Sequence, residues 1–291
     1  MHQTLRPFEL LEPETVEEAV QILSSYGNKA KVLAGGIDLV SRMRRWQIKP
    51  EYLVSIQKIP GLDYIEGNGG GRLSIGALTT LRSVELSPII QKDWMILYEA
   101  AHQIASIQVK TMGTVVGNLC VATPASDIAP VLFVLDAELK IVGPTSEKTI
   151  PIENFYIGVD QTILEPNQVV TEIVIPGIPA GAGGAFLKLE KTKADIAKVN
   201  VAATVTVTNG ICKEAKIALG AVAPCVIRAT RAEGILKGEK LDEKTTARAA
   251  EAAADEATPI TDLRSTAEYR REMVAVLVRR AIEKASERAK A

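Results

Sequence analysis

The sequence predicts an α+β fold in two parts, and three observations predict it. Capped helical stripes alternate with short strands, yet no regular strand–helix–strand series of a doubly wound sheet develops. Between Ile175 and Gly184, Pro176, Pro179, Gly181, Gly183 and Gly184 crowd together as a linker does. Beyond that linker an Asn-Gly hairpin and two helices make a self-contained α+β pattern. The division gives a first domain over 1–176 and a smaller one over 182–289.

Each element has its own local reason. Thr15-Val16-Glu17-Glu18 is a capping box: the Thr15 hydroxyl accepts the amide three residues on, and Glu18 reaches back. Val16, Ala19, Val20 and Leu23 continue as a helical stripe, which Gly27 stops. Lys31 to Ala34 reads as a short strand running into Gly35-Gly36, after which a second helix starts with Asp38 as its cap. Tyr52 to Ile56 and Arg72 to Gly76 read as strands, with Gly67 to Gly71 as a loose turn between them. Helical periodicity returns from Pro88 to Ala105. Thr111 to Asp127 is rich in Gly, Thr and Pro and is expected to be largely loop. Asp127-Ile128-Ala129-Pro130 then opens a short helix, with Pro tolerated in its first turn.

Past the linker, Asn200 to Thr208 and Ile211 to Leu219 alternate in polarity about Asn209-Gly210, a strong hairpin signal. An Ala-rich helix over Thr245 to Ala257 is ended by Pro259. A last helix starts at the box Ser265-Thr266-Ala267-Glu268 and carries Tyr269, Met273, Val276 and Leu277 on one face.

Composition excludes several functions. Lys plus Arg number 34 and Asp plus Glu 35, so a formal net charge of -1 gives no case for nucleic acid as the main partner. No apolar run approaches the ~18 residues needed to span a membrane; the longest, Ile128 to Leu135, stops at Asp136. The first residues, Met1 to Pro7, hold no apolar signal core, so a cytoplasmic protein is expected. Cys120, Cys212 and Cys225 are odd in number and far apart, which argues against a disulfide framework. With only His2 and His102 and no C-x-x-C pair, no zinc or iron–sulfur cradle is expected in this chain. His102 sits in an apolar-periodic stretch, where a histidine is more often structural than catalytic.

Two glycine-bearing segments carry the chemistry. In Val32-Leu33-Ala34-Gly35-Gly36-Ile37-Asp38-Leu39, adjacent glycines admit a close ligand and a helix start offers free amides. Together they form an anion nest suited to a pyrophosphate without a cationic side chain. The segment is neither G-x-G-x-x-G nor G-x-x-x-x-G-K-[ST], which removes the Rossmann and Walker readings. The second segment, Thr114 to Asp127, sets hydroxyls, an amide and a carboxylate along irregular backbone. It reads either as a functional loop or as an Asx-turn and N-cap series that satisfies its own backbone.

Taken in order, these segments resemble the FAD subunit of molybdenum hydroxylases. That class includes carbon monoxide dehydrogenase medium subunits and the flavin domain of xanthine dehydrogenase. Its A-G-G-x-D/S-L segment is matched by Ala34 to Leu39, and its R-x-x-G-T-I-G-G-N-L-x-x-A-S-P-A-A-D motif by Lys110 to Asp127. Phe186-Leu187-Lys188, Asp195-Ile196-Ala197 and Asp262 to Arg271 extend the likeness over nearly the whole chain.

The resemblance implies a two-part FAD-binding domain of the vanillyl-alcohol-oxidase/PCMH-like kind, followed by a smaller α+β domain. It implies FAD held by Val32, Leu33, Ala34, Gly35, Gly36, Ile37, Asp38 and Leu39, and by Thr114, Val115, Val116, Gly117 and Asn118. Asp127 matches a residue that hydrogen-bonds FAD, Ile104 and Val170 match apolar positions lining it, and Lys188 matches a lysine near it. No side chain is cast as an acid or base. The chain would be an electron-transfer subunit, passing electrons from iron–sulfur clusters of a two-iron small subunit through FAD to an acceptor such as NAD. Substrate would be oxidised on a separate large subunit with the molybdenum cofactor.

Two positions depart from the family pattern. Ile37 replaces a hydroxyl or imidazole, a net loss of roughly 0.5–1.5 kcal/mol for one bond to phosphate. Val116 replaces the first glycine of a Gly-Gly pair; its amide survives as a donor provided its φ is negative. Two other readings stand beside this one. The first is a stand-alone FAD oxidoreductase, which two histidines and sparse aromatics disfavour. The second is a non-redox scaffold with a decayed FAD loop, prompted by Val116 and Ile37.

Overall fold

A computed structural model describes residues 4–67 and 71–289. It opens with β1 (Glu9–Leu11), α1 (Val16–Tyr26), β2 (Ala30–Leu33), α2 (Ile37–Arg44) and β3 (Tyr52–Ser55). These strands make a parallel sheet in the order β1-β3-β2. Thr15 Oγ1 accepts the amide of Glu18 at 3.1 Å, Gly27 at φ 53° stops α1, and Ala19, Val20 and Leu23 are its buried stripe. Glu18 reaches back to the amide of Glu14 at 2.9 Å, one residue before the expected partner.

The second helix departs from expectation. It begins at Ile37 with Gly36 as its cap at φ 73°, and Asp38 stands inside its first turn. A left-handed cap is open to glycine and strained for aspartate, so backbone geometry took the position that side-chain capping would have assigned to Asp38.

A second layer follows with β4 (Ile65–Gly67), β5 (Leu73–Gly76), α3 (Leu81–Leu86), α4 (Pro88–Asp93), α5 (Met95–Gln103), α6 (Ile107–Met112), α7 (Val115–Cys120) and α8 (Ile128–Val134). The chain continues through β6 (Glu138–Val142), β7 (Glu147–Pro151), β8 (Tyr156–Gly158), β9 (Gln161–Thr162) and β10 (Val169–Ile175). Strands β4-β5-β10-β6-β7 form one sheet in that order, its neighbours all antiparallel. Of the turn expected at Gly67 to Gly71, residues 68–70 lie outside the described residues.

The helical stretch expected over Pro88 to Ala105 is two helices, broken at Trp94, whose indole is buried and whose ψ is 46°. Thr111 to Asp127, expected to be largely loop, is only about half so. α6 ends inside it, and Thr114 starts α7 by accepting the amide of Gly117 at 2.9 Å. α7 is too short to be stable by propensity alone. It exists because Val115, Val116 and Leu119 are buried.

The second domain holds β11 (Ala182–Leu189), β12 (Val199–Thr208), β13 (Ile211–Gly220), β14 (Ile227–Arg228), α9 (Thr230–Leu236), α10 (Glu243–Glu256) and α11 (Ala267–Ala289). Its strands run β11-β12-β13-β14, all antiparallel. The hairpin turns on Asn209 at φ 52° and Gly210 at φ 77°, the left-handed pair its two-residue loop demands.

Two expectations for α11 are corrected. Thr266, not Ser265, caps it, accepting the amide of Tyr269 at 3.2 Å, while the Ser265 amide donates to Asp262 Oδ1 at 3.2 Å. Its buried face is Arg270, Val274, Leu277, Val278, Ala281, Ile282 and Ala285, rotated from the stripe of Tyr269, Met273 and Val276. The rotation follows from Arg270, whose guanidinium is buried as donor to Lys198 O and Ala221 O, leaving Tyr269 40% exposed. Each domain has its own apolar core. Among the described residues no helix is long and apolar enough to cross a membrane.

Candidate functional site

One cleft draws on both layers of the first domain. It encloses about 470 Å³, inside the range of roughly 300–1,000 Å³ usual for ligand sites. Its walls are apolar, with Ile56, Leu81, Ile104, Val116, Val169 and Val170. Of the residues expected to bind, Val32, Ala34, Gly35, Gly36, Ile37, Asp38, Leu39, Ile104, Thr114, Val116, Gly117, Asn118 and Val170 line it. Leu33, Val115, Asp127 and Lys188 do not. Leu33 O accepts the amide of Ile56 at 3.1 Å, and the Val115 side chain is wholly buried in the core.

The two glycine-bearing segments meet. A Cβ on Gly35 would lie 1.9 Å from the carbonyl oxygen of Met112, so the first turn packs backbone to backbone on the end of α6. Ile37 Cγ1 would be 3.7 Å from a Cβ on Gly113. The Ile37 side chain thus packs against the second turn, where the family's usual polar residue would face phosphate. Among the described residues, the amides of Gly35, Gly36, Ile37 and Asp38 have no protein acceptor. They form a helix-start nest for an anion.

The second turn is the start of α7. Thr114 Oγ1 takes the Gly117 amide, Thr79 O takes the Val115 amide at 3.0 Å, and Thr114 O takes the Asn118 amide at 3.0 Å. A Cβ on Gly117 would lie 2.7 Å from Thr114 Oγ1, so a side chain there would force this cap to shift. Val116 is helical and is not among the positive-φ residues. Its β-branch is therefore unstrained and its amide points as a glycine's would. Ser126 Oγ donates to Asn118 Oδ1 at 2.7 Å, which leaves the Asn118 amide group as the donor toward the cleft.

Asp38 lines the cleft on an exposed side; the protein packed around it raises its carboxyl, against the lowering pull of Arg42 and Arg45. At the rim, Arg42 Nη2 pairs with Asp160 Oδ1 at 2.6 Å, joining α2 to the β8–β9 turn. Cys120 is exposed into the cleft, yet the protein packed around its thiol pushes it up to about 12. That shift favours the neutral thiol over the reactive thiolate.

Asp127 and Lys188 meet at the joint between the domains. Lys188 Nζ, its side chain 0% exposed, donates to Asp127 Oδ2 at 2.8 Å and to Gln103 O at 3.3 Å, and lies 3.2 Å from Glu190 Oε2. Asn200 Nδ2 donates to Asp127 Oδ1 at 2.8 Å and to Ser126 O at 3.0 Å. Burial raises the Asp127 carboxyl, opposed by Lys188 and Asn200. Gln103 is the residue before cleft-lining Ile104, so this network abuts one end of the cleft. Sequence reasoning missed Asn200 and Ser126. An asparagine and a serine at buried positions had only their partners in space to mark them. Among the described residues no cluster suited to a metal ion is found.

Comparison with known proteins follows the same lines. Residues 6–178 match the FAD binding domain in molybdopterin dehydrogenase, and residues 184–285 match the CO dehydrogenase flavoprotein C-terminal domain. The carbon monoxide dehydrogenase medium chain of Hydrogenophaga pseudoflava is 34% identical over 275 residues, 94% of this chain and 96% of the relative. The xanthine dehydrogenase FAD-binding subunit of Escherichia coli O157:H7 is 28% identical, covering 93% of each chain. Among solved structures, a chain of the Hydrogenophaga pseudoflava carbon monoxide dehydrogenase superposes with a TM-score of 0.95 at 35% identity, covering 98% of this chain and 99% of that one. A chain of quinoline 2-oxidoreductase from Pseudomonas putida 86 does so with a TM-score of 0.93 at 29% identity, covering 99% of this chain and 100% of that one.

Proposed function

The chain belongs to the family of FAD-binding medium subunits of molybdenum hydroxylases, and from that membership we propose that it is the electron relay of its complex. It takes electrons from iron–sulfur clusters of a two-iron small subunit and passes them through FAD to an acceptor such as NAD. Organic substrate is oxidised elsewhere, on a large subunit with the molybdenum cofactor. The observation that carries the reading is the meeting of two amide-bearing turns, Gly35 against Met112, at the edge of one apolar cleft.

The binding roles divide by chemistry. The free amides of Gly35 to Asp38, with the Val116 amide and the Asn118 side chain, suit a diphosphate, which needs donors, and the packing of Gly35 on the Met112 carbonyl admits no Cβ there. Val32, Leu33, Ala34, Leu39, Thr114, Val115 and Gly117 shape those turns. Ile104 and Val170 wall the cleft and exclude water from it. Asp127 and Lys188, buried at the domain joint outside the cleft's lining, act on the cofactor through the wall they hold, since Lys188 binds the carbonyl of Gln103 beside Ile104. FAD, when bound, supplies chemistry that accepts electrons singly and releases a pair as hydride.

Anaerobic reconstitution of the full chain with its large and small partners tests the relay. Substrate of the large subunit should bleach the flavin absorbance, and omission of the small subunit should abolish that bleaching. Reduction of the flavin by that substrate with this chain alone would overturn the proposal.

A further inference from the structure

Glu85, on α3, does not touch the cleft, yet its carboxylate gathers an unusual set of partners. Its side chain is 6% exposed, and Arg82 Nη1 at 2.6 Å, Lys110 Nζ at 2.8 Å and His102 Nδ1 at 2.9 Å all converge on it. Lys110 is as deeply buried, 5% exposed, and also donates to His102 O at 3.2 Å. Burial alone would raise the Glu85 carboxyl, but the bonds from Lys110, Arg82 and His102 hold it at about 2. It is a full charge at neutral pH.

A buried ion pair costs desolvation that an apolar contact of the same size avoids, so it is weak evidence for added stability and is better read as fixing a position. What it fixes is α6. That helix has six residues and carries Ile107 and Met112 exposed on its outer side, so few apolar contacts hold it down. Lys110 is its inward anchor, and two residues later comes the Met112 carbonyl on which Gly35 is packed.

We propose that the Glu85–Lys110 pair is the positioning device of the cofactor cleft: it holds α6 so that Met112 and Gly113 set the spacing between the two nucleotide turns. His102 belongs to this device as a partner of Glu85 rather than to any catalytic set. The proposal rests on the cleft being the FAD site, and the experiment separates the two.

The full chain, stripped of flavin, is titrated with FAD by flavin fluorescence, and the melting temperature of the flavin-free form is recorded beside it. Failure of the unaltered chain to take up FAD would sink the cleft reading itself. Lys110→Arg keeps charge and reach and should bind FAD like the unaltered chain. Glu85→Leu with Lys110→Met removes both charges together, which often leaves stability intact. It should melt near the unaltered temperature and bind FAD about tenfold or more weakly, as a slight misplacement of a site does. Full affinity in that stable double variant overturns the proposal, and so does loss of affinity in Lys110→Arg. Should the double variant fold poorly, the comparison moves to Arg82→Met and Lys110→Met. Each leaves Glu85 short of one cation, but only the second frees α6, so only Lys110→Met should lose FAD affinity; equal losses overturn the idea.

Discussion

Gly35 is constrained by contact, not by its own torsion. The obstacle to a side chain is the Met112 carbonyl at 1.9 Å, a backbone atom that cannot rotate away. Gly35→Ala should therefore drive the two turns apart and weaken FAD binding about tenfold or more, measured by FAD titration of the full chain. The melting temperature of the flavin-free form should change little, since Gly35 lies at a cleft edge open to relaxation. Val116 gives the opposite case. It stands where the family pattern has glycine, but it is helical and only 6% exposed, so its side chain packs mostly into the core and presents only a small apolar face to the cleft. Val116→Gly should leave FAD affinity unchanged and lower stability by about 3 kcal/mol, from lost burial and the helix cost of glycine. Denaturant unfolding read beside FAD titration checks both halves; a gain in affinity would mean that the valine does impede the cofactor.

At the scale of elements, α7 owes its start to one hydroxyl. Thr114 Oγ1 binds the Gly117 amide, and without it the first turn of a six-residue helix has little to hold it. Thr114→Ala should cost about 1 kcal/mol of stability and weaken FAD, while Thr114→Ser should restore both; unfolding and titration read the pair. This helix also marks where sequence reading ran out. Val16 to Leu23, the Asn209-Gly210 hairpin and the Gly27 stop were legible because local chemistry alone decides them. α7, by contrast, looks like loop in one dimension, since Gly, Thr and Pro outweigh its propensity and burial of Val115, Val116 and Leu119 overrides them. The break at Trp94 and the turned face of α11 failed because burial and a partner distant in sequence decide them, whereas the Gly36 cap turned on a local left-handed torsion. The cleft itself was legible through its two turns. Asn200 and Glu85 were not, because a single polar residue in an apolar strand or helix gives no sign of what it will meet.

At the scale of the molecule, the second domain is tied to the first beside the cleft, which is lined by first-domain residues. Asp127 belongs to the first domain, yet two of its partners, Lys188 and Asn200, come from β11 and β12. Glu99 ties the same domains from the other side, accepting from Lys284 at 2.6 Å, Arg288 at 2.7 Å and the Phe186 amide at 3.0 Å. Lys216 with Asp136 and Arg228 with Glu153 are further ion pairs across the joint, and the most buried of these contacts, Asp127 with Lys188, sets a response to pH. Burial raises the Asp127 carboxyl above the 3.8 of the unfolded chain, and Lys188 is what limits that rise. A carboxyl raised on folding favours the folded state while protonated, and that advantage is lost as pH climbs from 3.8 through the folded value. Lys188→Met strands the charge, which for a buried pair costs about 3–5 kcal/mol near neutral pH. Its melting temperature should therefore fall away from the unaltered chain's as pH rises from about 4, with little difference below. Asp127→Asn combined with Lys188→Met leaves only Glu190, 21% exposed, without its cation and should sharply reduce the pH dependence of that gap. A gap equally wide at low pH would mean that Lys188 acts by packing alone, and the joint would then lose its electrostatic part in holding the cofactor end of the cleft.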